Sequence, residues 1–169
     1  IQQGVSLAGR ADRRHSLFES THGVKVEKAV RKLIVAEHMS LDGVIQSPGG
    51  PEEDPSGDFQ LGGWIVPYPD DLIGEALRDL FSRPFELLLG RRTYDIWAGY
   101  WPQVRAGHAI ADLFNSVPKH VSTHRSDSLD WHNSHALEGD LADAVRALKH
   151  QDGDSLFTWG SADMVRQLL

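Results

Sequence analysis

Three segments of this chain share one design. Leu89-Gly90-Arg91-Arg92-Thr93, Val121-Ser122-Thr123-His124-Arg125 and Trp159-Gly160-Ser161-Ala162 each deliver an apolar run to a turn of glycine, hydroxyl or cationic residues that is expected to open a helix. Helix amino termini offer free N–H groups and partial positive charge to phosphates. Glycine lets the backbone approach a pyrophosphate, Thr93 and Ser161 carry hydroxyl donors, and an arginine fork matches a phosphate monoester. One glycine after a strand is most often only a turn. Three such turns at successive strand ends point to a nucleotide.

Pro69-Asp70-Asp71-Leu72 puts two carboxylates at a helix start, where an N-cap and a first-turn charge are favoured on their own account. His38 projects from the first strand and reads either as a pocket residue or as a satisfied core histidine. His120, His124, His132 and His135 are the densest of nine histidines, but His132 and His135 lie in a Ser-, Asp- and Asn-rich stretch that reads as loop, so no metal site is expected. Tyr94, Trp97, Tyr100 and Trp101 could stack on bases, and their spacing suits core packing better.

A chain of 169 residues has room for one domain, and 40 % apolar with 24 % charged residues is ordinary globular composition. The absence of cysteine excludes a disulfide scaffold, thiolate metal ligation and a cysteine nucleophile, so redox chemistry would need a borrowed cofactor. Arg10, Arg13, Arg14, Lys25, Lys28 and Arg31 against Asp12, Glu19 and Glu27 give residues 1–31 a charge of +3 and leave −10 on the rest. We expect the basic segment to be a flexible arm or tag-like extension, and an acidic body argues against a nucleic-acid surface. With no long apolar run and no signal-peptide pattern, neither a membrane partner nor secretion is expected, and a cytoplasmic location is.

The domain is expected to begin at Lys32, because Leu33–Ala36 is an apolar run of buried-strand length. Residues 47–69 hold ten glycines and prolines, too many for regular structure, and such a loop is usually a lid or binding loop. Asp70 caps a helix carrying Leu72, Ile73, Ala76, Leu77, Leu80 and Phe81, which Pro84 stops. Glu86–Leu89 reads as a strand, followed by a helix through Thr93, Tyr94, Ile96 and Trp97 that ends at Pro102. Lys119–Thr123 is a third strand, Asp140 caps a helix through Leu148, and Ser155–Trp159 is a fourth strand leading to a helix with Met164, Val165 and Leu168. Alternating strands and helices imply an α/β domain with a mainly parallel sheet.

Met39-Ser40-Leu41-Asp42-Gly43-Val44-Ile45 on the first strand, Leu88-Leu89-Gly90-Arg91-Arg92-Thr93-Tyr94 on the second, Trp97-Ala98-Gly99-Tyr100-Trp101-Pro102, Pro118-Lys119-His120-Val121 and Trp159-Gly160-Ser161 occur in this order. Together they resemble the dihydrofolate reductase-like superfamily, and within it bacterial proteins similar to the reductase domain of the bifunctional riboflavin biosynthesis protein. The resemblance covers residues 32–169. It implies a three-layer αβα domain and an NADPH-dependent reductase of a small heterocyclic or carbonyl substrate, and it is compatible with a homodimer. Gly90, Arg91, Arg92 and Thr93 would then hold the adenosine phosphate and pyrophosphate, with Ser122, Thr123, His124 and Arg125 near the 2′-phosphate. Gly160, Ser161 and Ala162 would give donors to the pyrophosphate. Ala36, Leu41, Asp42, Val44 and Ile45 would border the nicotinamide. In dihydrofolate reductases a carboxylate early in the first helix contacts the pterin ring, and Asp71 stands at about that position, where a partly apolar pocket would raise its pKa; the resemblance thus makes Asp71 and Asp42 the candidate catalytic residues. Members of the superfamily continue beyond the helix that opens near Ser161, so the sheet is expected to lack its C-terminal strands. A nucleotide-binding module without turnover, or a subunit that completes its sheet with another chain, are the alternatives.

Overall fold

In the computed structural model, which describes residues 30–169, five strands form one sheet: β1 (Leu33–Ala36), β2 (Phe85–Gly90), β3 (Lys119–Ser122), β4 (Ser134–Leu137) and β5 (Ser155–Trp159). Their order is β1-β5-β2-β3-β4, and every pairing is parallel. The helices are α1 (Asp71–Leu80), α2 (Arg91–Tyr100), α3 (Ala109–Ser116), α4 (Leu141–Lys149) and α5 (Ala162–Leu168). The basic arm expected over residues 1–31 lies outside the described residues, save for its last two positions.

Two elements depart from expectation. α3, between Pro102 and Pro118, has an apolar face of Ile110, Leu113 and Phe114 and a weak histidine cap, His108 Nδ1 accepting from Ala111 N–H at 3.4 Å. β4 contains His135, so the stretch read as loop is an edge strand. Its Ser-His-Ala-Leu sequence has little strand signature, and it exists through pairing with β3 in the register His120 to His135. The first strand also ends at Ala36, and Met39–Ile45 forms a turn rather than its continuation.

A parallel sheet is covered on both faces, which explains why Leu87, Leu88 and Leu89 are all fully buried. Leu87 and Leu89 face an aromatic layer with Phe85, Tyr94, Phe114, Trp131 and Phe157, roofed by α2 and α3; Trp97 stacks on Phe114 at 4.9 Å. Leu88 faces an aliphatic layer of Val145, Leu148, Leu156 and Met164 under α4 and α5. Burying each such side chain stabilises the fold by about 1.5–3 kcal/mol. By contrast α1, capped by Asp70 as expected at 2.8 Å from Leu72 N–H, contains no fully buried residue, and Leu72 is 69 % exposed.

The amino-terminal end of the sheet is closed by paired charge. Arg31 packs into the domain, its guanidinium 2.7 Å from Glu86 Oε2 and its Nε donating to Asp154 O at 2.5 Å. His120 Nε2 meets the same carboxylate at 2.6 Å. Burial raises the Glu86 pKa, but Arg31 and His120 outweigh it and hold the group below its usual value. Burial also lowers that of His120, so the neutral ring donates its Nε2–H. Fully buried Lys119 donates to the carbonyls of Asn115, Val117 and His132 at 3.1, 2.9 and 2.9 Å and lies 4.3 Å above the Trp131 ring. It thereby ties the end of α3 to the start of β4, and burial pushes its pKa down to about 8.

Candidate functional site at the carboxyl ends of the strands

β2 and β5 are neighbours, yet α2 leaves β2 toward the aromatic layer while α5 leaves β5 toward the aliphatic one. Adjacent strands whose following helices part to opposite faces define the switch point where open α/β sheets bind ligands. The two turns at this point are bolted together. Gly90 N–H donates to Ser161 Oγ at 2.9 Å, Ser161 Oγ–H to Thr93 Oγ1 at 3.2 Å, and Thr93 Oγ1–H to Gly160 O at 2.8 Å. Thr93 and Ser161 are buried, so their hydroxyls position the turns rather than stand free for a phosphate. Gly160 has φ +72°, which a side chain would strain. No side chain caps α2, and the first-turn N–H groups of Arg91, Arg92 and Thr93 have no intrahelical acceptor.

The cationic residues divide by role. Arg91 is spent internally: Nε donates to Asp95 at 2.8 Å, one terminal nitrogen to Arg125 O at 2.8 Å and Thr123 Oγ1 at 3.3 Å, and the other to Ser128 Oγ at 2.8 Å. It clamps the β3–β4 connection onto α2. That connection makes only a short 3-10 turn, Ser126–Ser128, where a helix was expected. Ser122 is half-buried, Thr123 Oγ1 accepts from Arg125 N–H at 3.0 Å, and His124 and Arg125 are exposed, Arg125 lying 3.3 Å from Asp95. Arg92 is exposed and reaches Asp54 Oδ1 at 2.5 Å.

Asp54 belongs to the 47–69 loop, which is folded rather than loose. Ser47 Oγ accepts from Asp54 N–H at 2.7 Å and donates to Asp54 O at 2.9 Å, Trp64 Nε1 donates to Gln46 O at 2.9 Å, and Gly63 N–H to Ser47 O at 2.7 Å. A Cβ at Gly62 would sit 2.4 Å from Pro51 Cα, so only glycine fits that crossing. The Arg92–Asp54 pair joins this loop to the start of α2.

Of the residues expected beside a nicotinamide, Ala36 packs against the aromatic layer, Val44 and Ile45 are half-buried, and Leu41 and Asp42 are exposed. Asp42 accepts from Ser40 Oγ–H at 2.5 Å, which lowers its pKa. Asp71 is exposed in the first turn of α1, not in a partly apolar pocket. Neither aspartate is desolvated as an acid near neutrality requires. Glu37, just past β1, is half-buried, as are Glu53 and Asp54 on the loop; the Glu37 Oε2 accepts from Gly160 N–H at 3.0 Å. No spacing rule singles it out. Beside it, His38 packs its ring 4.9 Å from Trp159, and burial lowers its pKa.

A broad groove of about 840 Å³ runs along the flank of α2 against Trp131 and His132, apart from the β2–β5 switch point. Tyr94, Trp97 and Trp101 are packing residues of the aromatic layer. Among the described residues no group of three or more His, Asp or Glu side chains could hold a metal ion, and no helix is long and apolar enough to cross a membrane.

A parallel, doubly covered sheet with glycine turns at its switch point defines an α/β protein of the dihydrofolate reductase-like, three-layer αβα class. The chain belongs to the RibD C-terminal domain family, whose model matches residues 31–169. That is a family of riboflavin-pathway reductase-like domains that in general use NADPH. An uncharacterized protein of Bacillus subtilis (strain 168), YyaP, is similar at 21 % identity over 138 residues, a match covering 80 % of this chain and 65 % of the relative's own length.

Proposed function

We propose that this chain is an NADPH-dependent reductase acting on a small heterocyclic or carbonyl substrate, a riboflavin-pathway pyrimidine or a pterin-like ring. The observation that carries the reading is the bolted pair of glycine turns at the β2–β5 switch point, beside an α2 amino terminus that no side chain caps. Those N–H groups and the exposed guanidinium groups of Arg92 and Arg125 fit the phosphates of a dinucleotide. When bound, NADPH supplies the hydride. The chain's part is to orient the ring and to exclude water, with Ala36, Leu41, Val44 and Ile45 bordering the nicotinamide and the 47–69 loop beside the substrate. Arg92 exchanges Asp54 for phosphate, and because its own side chain is exposed the pair costs little to break.

The test is a parallel titration with NADPH and NADH, followed by tryptophan quenching. NADPH is expected to be preferred at least tenfold, about 1.4 kcal/mol; if the Arg92 side chain reads the 2′-phosphate, Arg92→Glu weakens NADPH far more than NADH, and an equal loss for both refutes that assignment. Binding of neither dinucleotide would overturn the reading. The exposure of Asp42 and Asp71 favours a second reading, a nucleotide-binding module without turnover. Steady oxidation of NADPH with a pterin or pyrimidine acceptor would exclude it.

A further inference from the structure

The 47–69 loop presents a carboxylate to the end of α2 that no side chain caps. Asp54 Oδ1 lies 2.5 Å from Nη1 of Arg92, the second residue of that helix. The carboxylate is held there from its own side. Asp54 N–H donates to Ser47 Oγ at 2.7 Å, and Asp54 O accepts from Ser47 Oγ–H at 2.9 Å and from Gln46 Nε2 at 2.8 Å. Ser47 is buried and takes φ +47°, left-handed backbone that a serine adopts only at a cost. Ser56 N–H donates to the same Oδ1 at 3.1 Å, so the carboxylate is aimed as well as its backbone. The Ser56 side chain, and after it Ser56 N–H and Arg92, keep the Asp54 carboxyl below its ordinary value despite burial, so it is an anion at neutral pH.

Among the described residues, every other hydrogen bond of residues 46–68 closes within that segment. The Arg92–Asp54 pair is therefore the polar tether of the loop to the body of the domain. The other cations here hold no such tether, since Arg91 and Arg125 pair with Asp95 on α2. Two anions at one guanidinium repel each other, so a phosphate at Arg92 and the Asp54 carboxylate compete. We propose that Asp54 is an internal competitor of the dinucleotide: a phosphate that takes Arg92 unlatches the 47–69 loop, and the latched loop lowers dinucleotide affinity by the same factor. That equality is thermodynamic linkage. The proposal rests on the reductase reading above and adds to it a coupling between cofactor and loop.

The experiment titrates wild type, Asp54→Asn and Arg92→Gln with NADPH by tryptophan fluorescence, and follows amide hydrogen exchange of residues 47–66 with and without NADPH. Asparagine keeps an oxygen for Ser56 N–H, and the Ser47 and Gln46 bonds reach only backbone, so the loop retains its own fold. Asp54→Asn is expected to bind NADPH about two- to fivefold more tightly, the range of an ion pair with one exposed partner. Arg92→Gln binds it more weakly. In wild type the loop amides exchange at least about threefold faster once NADPH is bound, and in both variants they are already that fast without it. Unchanged or weaker NADPH binding by Asp54→Asn, or wild-type loop exchange that NADPH leaves unchanged or slows, overturns the inference while leaving the reductase reading intact. A wild type that binds no dinucleotide overturns the reductase reading, and the competition falls with it.

Discussion

The two ends of the sheet use charge in opposite ways. At the amino ends of the strands Arg31, Glu86, His120 and Lys119 are buried or half-buried and each has its partners inside the chain. At the carboxyl ends Arg92, His124 and Arg125 are exposed, the α2 amino terminus is uncapped, and Glu37 has an oxygen with no partner. One end spends its polar groups on holding strands and helices together. The other leaves hydrogen-bonding capacity unspent, which lowers stability and is what a ligand site requires.

The comparison is tested most severely at Lys119. Lys119→Ala removes a fully buried stem and leaves three carbonyls without their donor, and is expected to cost about 4 kcal/mol in urea unfolding. The deficit should widen from pH 8 to 10.5, where the folded wild type has already released a proton that its unfolded chain still holds. A loss under about 1 kcal/mol would show that the cage is ornamental.

Glu86→Gln comes next, leaving Arg31, whose side chain is 4 % exposed, without its charge partner. The expected cost is about 3 kcal/mol near neutral pH. The wild type itself should lose stability on acidification. The unfolded chain takes up the His120 proton near pH 6.5 and that of Glu86 near 4.5, whereas the folded chain takes up both only at lower pH. Thermal melting of Glu86→Gln should show a shallower acid limb, and an unchanged limb would detach the cluster from acid stability.

At the carboxyl ends the effects shrink and change kind. Ser161→Ala strips the acceptor from Gly90 N–H and is expected to cost about 1–2 kcal/mol, with NADPH affinity falling as the two turns come apart; calorimetric melting and a dinucleotide titration read the two effects. Arg92→Glu should change stability by less than about 1 kcal/mol, because Arg92 is exposed and its pair with half-buried Asp54 is screened on one side by solvent. A large loss of stability there would erase the contrast between the ends.

Much of this layout was legible before any tertiary contact was known. The apolar runs at Leu33, Glu86, Lys119 and Ser155 all became strands, and Asp70 and Asp140 cap α1 and α4 through their side chains as expected. Short β4 was not legible, since an edge strand of mixed polarity is made by its neighbour. Nor was the fate of Arg91 and Thr93, which look like phosphate ligands in a linear string and prove to be occupied by Ser128, Asp95 and Gly160. The aspartates marked by position, Asp42 and Asp71, ended in solvent.

What the sequence determined alone was periodic and local: which runs are apolar at strand or helix spacing, where caps and breakers stop them, and which turns carry glycine with hydroxyls. Those properties depend on residues within one turn or one strand of each other. Only the tertiary structure decided which polar groups are consumed and which are left over, because that depends on the β1-β5-β2 register. That register brings Glu37 to Gly160 across 123 positions of chain, binds one of its oxygens and closes the other off from water.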